Sequence, residues 1–229
     1  MSGRLPDEPV RRPLNLQRWE HLAFVHWRYP ADTLRRVVPA GLEVQELDGS
    51  AWLGLVPFRL AGLRAPGLSA VPRFSTFAEL NLRTYVSDGE HDGVLFLRIL
   101  CSRRVVVGLL RAGLGLPYVY SPGRVRTTTD ATSYEAEGTS ALVAVGPEGE
   151  PDGLVTSLTG RWSVFTPHLG RLWRVPVEHQ PWPLHRARLD HLSTSLPADA
   201  GLPLPDGEPL VHWSPGVDVR VGAPRPAAR

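Results

Sequence analysis

The amino-acid sequence predicts an α+β fold, mainly antiparallel β-sheet with a few helices packed on it. Three observations carry that reading. Segments with the two-residue alternation of strands outnumber those with helical spacing, glycine-containing turn dipeptides join neighbouring strands, and no regular βαβ alternation runs along the chain. The 229 residues suffice for one domain with a substantial core, and 42% hydrophobic against 21% charged residues is the balance of a globular chain.

The domain is expected to span residues 14–222. The Pro-, Arg- and Ala-rich ends, residues 1–13 and 223–229, lack hydrophobic periodicity and read as flexible tails. His21 to Tyr29 reads as a strand, and Pro30 then opens a short helix through Val37 that Pro39 and Gly41 end. Glu43 to Leu47 and Ala51 to Leu60 are expected to form a hairpin about Asp48-Gly49. A second hairpin joins Phe77–Ser87 to Val94–Cys101 through Ser87-Asp88-Gly89, and Arg103 to Leu114 has helical spacing. Short strands follow near Val125–Thr129, Ser133–Glu137 and Ser140–Val145. In the last third, strands at Arg161–Thr166, Leu172–Val177, Leu210–Trp213 and Val217–Val221 alternate with helical pieces at Leu154–Leu158 and Arg186–Leu192.

Composition excludes several functions. All 25 basic residues are arginines, so neither a phosphate-loop lysine nor a lysine Schiff base exists in this chain. With a net charge of +2 and scattered arginines, no basic groove for nucleic acid is expected. The single Cys101 forbids an intrachain disulfide and reads as a buried, inert thiol. No apolar run is long enough to cross a membrane or serve as a signal h-region, so the expected location is cytoplasmic. The histidines lack metal-ligand spacing, and no metal or other cofactor is expected.

The most informative segment is Phe77 to Val86, whose polarity alternates. Glu79, Asn81, Arg83 and Tyr85 share one face, and Leu80, Leu82 and Val86 occupy the other. Such a row of polar side chains either lines a cavity or forms a solvated sheet face. Glu79 and Arg83 stand four residues apart on a strand, about 13 Å between Cα atoms, which argues against a direct ion pair. Tyr118 and Tyr120 follow the Arg103–Leu114 helix, with Pro117 fixing the presentation of Tyr118 either for acid–base work or for packing. His179 precedes a rigid Pro181-Trp182-Pro183 turn, and His26 within an apolar run reads as a hydrogen-bonded core histidine.

Several motifs in order carry a resemblance: His21-Leu-Ala-Phe-Val-His-Trp27, Val38-Pro-Ala-Gly-Leu42, Asp48-Gly-Ser-Ala-Trp52, Val56-Pro-Phe58, Glu79 to Val86, Leu116-Pro-Tyr118 and His179-Gln-Pro-Trp-Pro-Leu184. Together they resemble the YqjF-like family of uncharacterised bacterial proteins, which looks like a branch of the acetoacetate decarboxylase superfamily. That resemblance implies an antiparallel β-cone or barrel around an internal polar cavity. The superfamily's pattern of Arg-Glu-x-x-Gly-aromatic-Pro-Lys is similar to Arg111-Ala-Gly-Leu-Gly115-Leu-Pro117-Tyr118, with Tyr118 in place of the Schiff-base lysine and Ala112 in place of the glutamate. Glu79 resembles an acidic residue on the superfamily's cavity-lining strand.

Two functions stay open. One is an enzyme acting on a small oxygenated or carboxylated metabolite, a lyase, hydratase, isomerase or lactone-acting enzyme, with Glu79 and Tyr118 catalytic. Asn81, Arg83, Tyr85, Arg111, Tyr120 and His179 would then bind substrate. The other is a non-catalytic binding or structural protein that keeps the fold. A small-molecule ligand is the expected partner, and a homo-oligomer is left open.

Overall fold

The alternation read in Phe77–Ser87 governs the architecture, because this strand is buried on both faces and sends its two residue sets into different cores. The computed structural model describes residues 5–228. In chain order it runs β1 (Asn15–Tyr29), α1 (Ala31–Arg35), β2 (Glu43–Val44), β3 (Ala51–Arg64), β4 (Phe77–Ser87), β5 (Asp92–Cys101), α2 (Arg104–Leu114) and β6 (Tyr118–Tyr120). There follow β7 (Gly123–Thr127), β8 (Ala131–Ala136), β9 (Thr139–Glu148), α3 (Gly153–Thr159), β10 (Ser163–His168) and β11 (Arg171–His179). The chain finishes with β12 (His185–Thr194), α4 (Leu196–Asp199), β13 (Leu210–Val221) and β14 (Arg225–Pro226).

All strands belong to one sheet, and its path closes on itself. From β11 it passes through β10, β5, β4, β3 and β1 to β13, which pairs back with β11 at Val177↔Val221, Glu178↔Arg220 and His179↔Val219. Closure makes a barrel and leaves these strands no free edge. Strands β12, β9, β8 and β7 continue from β13 as an arm.

Residue parity then separates two cores. Ala23 and Val25 of β1, Leu53 and Leu55 of β3, and Leu80 and Leu82 of β4 pack outward against Tyr134, Ala141 and Val143 of the arm. Leu22 and Phe24, Val56 and Phe58, and Phe77 turn to the other side, where they meet Ile99, Cys101, Val107 and Tyr118. Helix α2 lays Val106, Leu110 and Leu114 against this inner cluster. Gly115 ends the helix at φ +66°, donating its N–H to the Arg111 carbonyl.

The mainly antiparallel expectation holds, with local corrections. Asp48 and Gly49 do form a turn, both at positive φ (52° and 70°), but Leu47↔Ser50 is its one bridge and the upstream strand shrinks to Glu43–Val44, which pairs with β4. The piece Arg186–Leu192, expected as helix, lies within β12 and pairs with β9, its exposure alternating as a strand requires up to a register shift between Leu189 and His191. Two expected C-terminal strands are one, β13. A βαβ unit also exists, unforeseen from the pattern: β5 and β6 pair in parallel across α2, and β10 lies parallel to β5. The chain ends make contacts as well, with Val10 buried, Glu8 bonding to Arg174 and Arg225, and β14 pairing with β11.

No helix among the described residues is long and apolar enough to cross a membrane.

Candidate functional site

The inner side of the barrel holds a partly open cavity of about 250 Å³, walled chiefly by apolar side chains such as Leu22, Phe24, Val56 and Phe58, with α2 supplying Val106, Leu110 and Leu114 and the exposed Leu109. Besides Asn15 and Gln17 of β1, four polar side chains reach this wall: Glu79, Asn81 and Arg83 from β4, and Tyr118 from the start of β6. Three come from one strand because successive odd positions face inward. The fourth is delivered by the α2 exit, where Pro117 and Gly115 turn the chain so that β6 runs beside β5 at Ile99↔Tyr118.

Glu79 and Tyr118 meet. The Tyr118 hydroxyl donates to Glu79 Oε2 at 3.1 Å, and the two residues are 7% and 4% exposed, so bulk water does not share the bond. Burial raises the Glu79 carboxyl to about 8, against a lesser opposing effect of the Tyr118 hydrogen bond. Burial also holds the Tyr118 phenol well above its ordinary value, with the Glu79 charge adding to it. At neutral pH both groups therefore carry their protons.

Arg83 is held by neutral partners. Its Nε donates to the Tyr85 hydroxyl at 3.4 Å and its Nη2 to the Leu158 carbonyl at 3.3 Å, and the guanidinium lies 5.5 Å from the Phe24 ring centroid. No ion pair joins Arg83 to a carboxylate among the described residues, and none joins it to Glu79, in keeping with their spacing along β4. Behind Arg83, the Tyr85 hydroxyl and His26 Nε2 share a hydrogen bond of 2.6 Å. Desolvation keeps that histidine neutral, so it adds no charge behind Arg83. This chain depends on Gly54, where an added Cβ would stand 3.1 Å from both the Tyr85 hydroxyl and His26. His26 sits in an apolar run that marks it as a core histidine, and nothing in the sequence signals its link to Arg83.

Other expected site residues fall elsewhere. Tyr85 is fully buried behind the wall. Arg111 is exposed on α2, whose apolar residues take the inward side. Tyr120 packs beside the inner cluster and carries the Arg104 guanidinium over its ring at 3.8 Å. His179 is buried among Trp162 and Trp182, with Nδ1 donating to the Gln180 carbonyl at 2.6 Å and desolvation lowering it to about 4. None of these four lines the cavity. The residue missed is Trp182, which the sequence shows only as part of a rigid turn and which belongs to the cavity wall. Phe58 and Phe96 narrow the cavity without filling it, and Trp52 sits in a separate cluster.

Cys101 lies buried beside this site with its thiol pushed up to about 12, first by burial and then by Glu79, which makes it a poor nucleophile. Among the described residues no group of three histidines, cysteines or carboxylates is placed to hold a metal ion.

A closed, mainly antiparallel barrel around such a cavity defines an acetoacetate decarboxylase-like fold. An acetoacetate decarboxylase-like enzyme from Sphingomonas wittichii RW1 superposes with a TM-score of 0.65 at 15% identity, covering 98% of this chain and 97% of that one. The enduracididine biosynthesis enzyme MppR, complexed with pyruvate, does so with a TM-score of 0.66 at 15% identity, covering 96% and 93%. By sequence, the chain belongs to the DUF2071 family of uncharacterized conserved proteins, which matches residues 16–218. The uncharacterized protein YqjF of Bacillus subtilis (strain 168) is 33% identical over 214 residues, 89% of this chain and 88% of that one.

Proposed function

We propose that the barrel cavity binds a small oxygenated or carboxylated metabolite and transforms it by acid–base chemistry without a Schiff base. The observation that carries this reading is the buried 3.1 Å bond between Tyr118 and Glu79 on the cavity wall. A carboxyl raised to about 8 is a general acid at neutral pH. Because Tyr118 occupies Oε2, the other oxygen, Oε1, is the one to present the proton to a ligand. Tyr118 fixes that orientation and, once Glu79 has given up its proton, stabilises the carboxylate that remains.

Arg83 supplies the complementary charge. With Glu79 neutral and no carboxylate against Arg83, the polar wall carries one uncompensated positive charge, which suits a monoanion. Apart from Asn15 and Gln17 the remaining wall is mainly apolar, and 250 Å³ is the liquid volume of about eight waters, so the ligand is small. The complex of MppR with pyruvate shows a small carboxylate bound by a protein of like fold. Lysine chemistry has no place here, since the chain contains none.

Mass spectrometry of small molecules released from the purified protein, followed by turnover assays on the hits, tests this proposal. Release of a small carboxylate or carbonyl compound that the protein converts, with Glu79→Gln abolishing conversion, supports it. Binding that survives without conversion, unaffected by Glu79→Gln, would assign the protein to the alternative reading, a non-catalytic binder in a cavity narrowed by Phe58 and Phe96.

A further inference from the structure

A second, outer pocket of about 450 Å³ lies beyond the barrel cavity, bordered by Glu148, Glu150, Thr156, Thr159 and Trp162. Among the described residues, Trp182 alone lines both it and the inner cavity. One indole therefore separates the two spaces. It is held firmly: Nε1 donates to the Thr159 carbonyl at 3.1 Å, the ring stacks near Trp19 at 6.1 Å and meets the edge of Phe24 at 5.1 Å, and Pro181 and Pro183 restrict the backbone on either side. The preceding carbonyl, that of Leu158, accepts from Arg83. The last turn of α3 thus fixes both the wall and the guanidinium of the inner cavity.

We propose that Trp182 is the specificity-determining wall that limits ligand length, and that the outer pocket is the space a longer ligand enters when the indole is removed. This rests on the reading that the inner cavity is the ligand site. A small side chain in place of the indole would open the 250 Å³ cavity toward the 450 Å³ pocket, since Trp182 lines both. Loss of the Thr159 hydrogen bond alone, as in Trp182→Phe, keeps an aromatic ring in the wall.

Uncharged probes test the wall independently of Glu79 and Arg83. In calorimetric titrations with straight-chain 1-alkanols, affinity for the wild-type protein should rise about fourfold per methylene, the equivalent of about 0.8 kcal/mol, and then stop rising at a limiting length. Trp182→Ala and Trp182→Leu, each checked for native circular dichroism, should move that limit by about two carbons or more and bind the first excluded alkanol roughly tenfold more tightly. Trp182→Phe should keep the wild-type limit. The proposal is overturned by an unchanged limit in both folded small-residue variants, by a wild-type series with no limit, or by the absence of alkanol binding. A parallel series of straight-chain carboxylates reads the charged subsite: if these fail to bind while the alkanol limit depends on Trp182, the monoanion assignment falls and the wall stands.

Discussion

Glu79 shows how far a single side chain's chemistry depends on its surroundings. Its place on the polar face of β4 was legible from alternation, but whether that face met water or a cavity was not, because a solvated face and a cavity wall share the same pattern. The fold buries it, and desolvation raises the carboxyl to about 8. Tyr118→Phe removes a hydrogen bond that favours the ionised form, so the Glu79 titration should move further upward, which ¹³C NMR of the side-chain carboxyl would read. If Glu79 is the acid, wild-type turnover should decline as pH rises through about 8, and the decline should shift to higher pH in Tyr118→Phe. Arg83→Gln should weaken binding of a carboxylate ligand by about 1.5–3 kcal/mol, as measured by titration, while sparing uncharged ligands.

At the level of elements, the α2–β6 turn decides where Tyr118 goes. Gly115 sits at φ +66°, and a Cβ there would come within 2.7 Å of the His168 ring and 2.8 Å of the Pro167 carbonyl. Gly115→Ala should therefore cost about 2 kcal/mol or more in denaturant unfolding, because the left-handed backbone strain adds to the clash. It should also disturb the Tyr118–Glu79 bond, observable in the same carboxyl titration. The element misread from sequence, Arg186–Leu192, is short and dense in arginine, so helical and extended patterns compete there. Pairing with β9 settles the competition, an interaction with residues 42 to 51 positions away that no local window contains.

For the whole molecule, two buried groups set opposing pH limits on stability. Glu79 binds its proton more tightly folded than unfolded, so its contribution is fully present below about 4.5 and is lost as pH rises to about 8. His179 is depressed to about 4, so its contribution is full above about 6.5 and is lost as pH falls toward 4. Thermal unfolding across pH should show Glu79→Gln gaining relative to wild type as pH rises from 5 to 8, by up to about 1.4 kcal/mol per pH unit, and level above that. A gain confined to acid pH would contradict the assignment.

The sequence by itself determined what local chemistry can determine. The absence of lysine excludes imine catalysis, the period of β4 puts Glu79, Asn81 and Arg83 on one face, and the turn residues mark most strand ends. Tertiary structure decided the rest: that the sheet closes through β11 and β13, that Arg111 points to solvent, that His26 and Tyr85 stand behind Arg83, and that Trp182 lines two pockets. The division has one physical cause. Alternation and turn preference act between residues a few positions apart, whereas desolvation and enclosure arise only when distant strands bring their inward faces together.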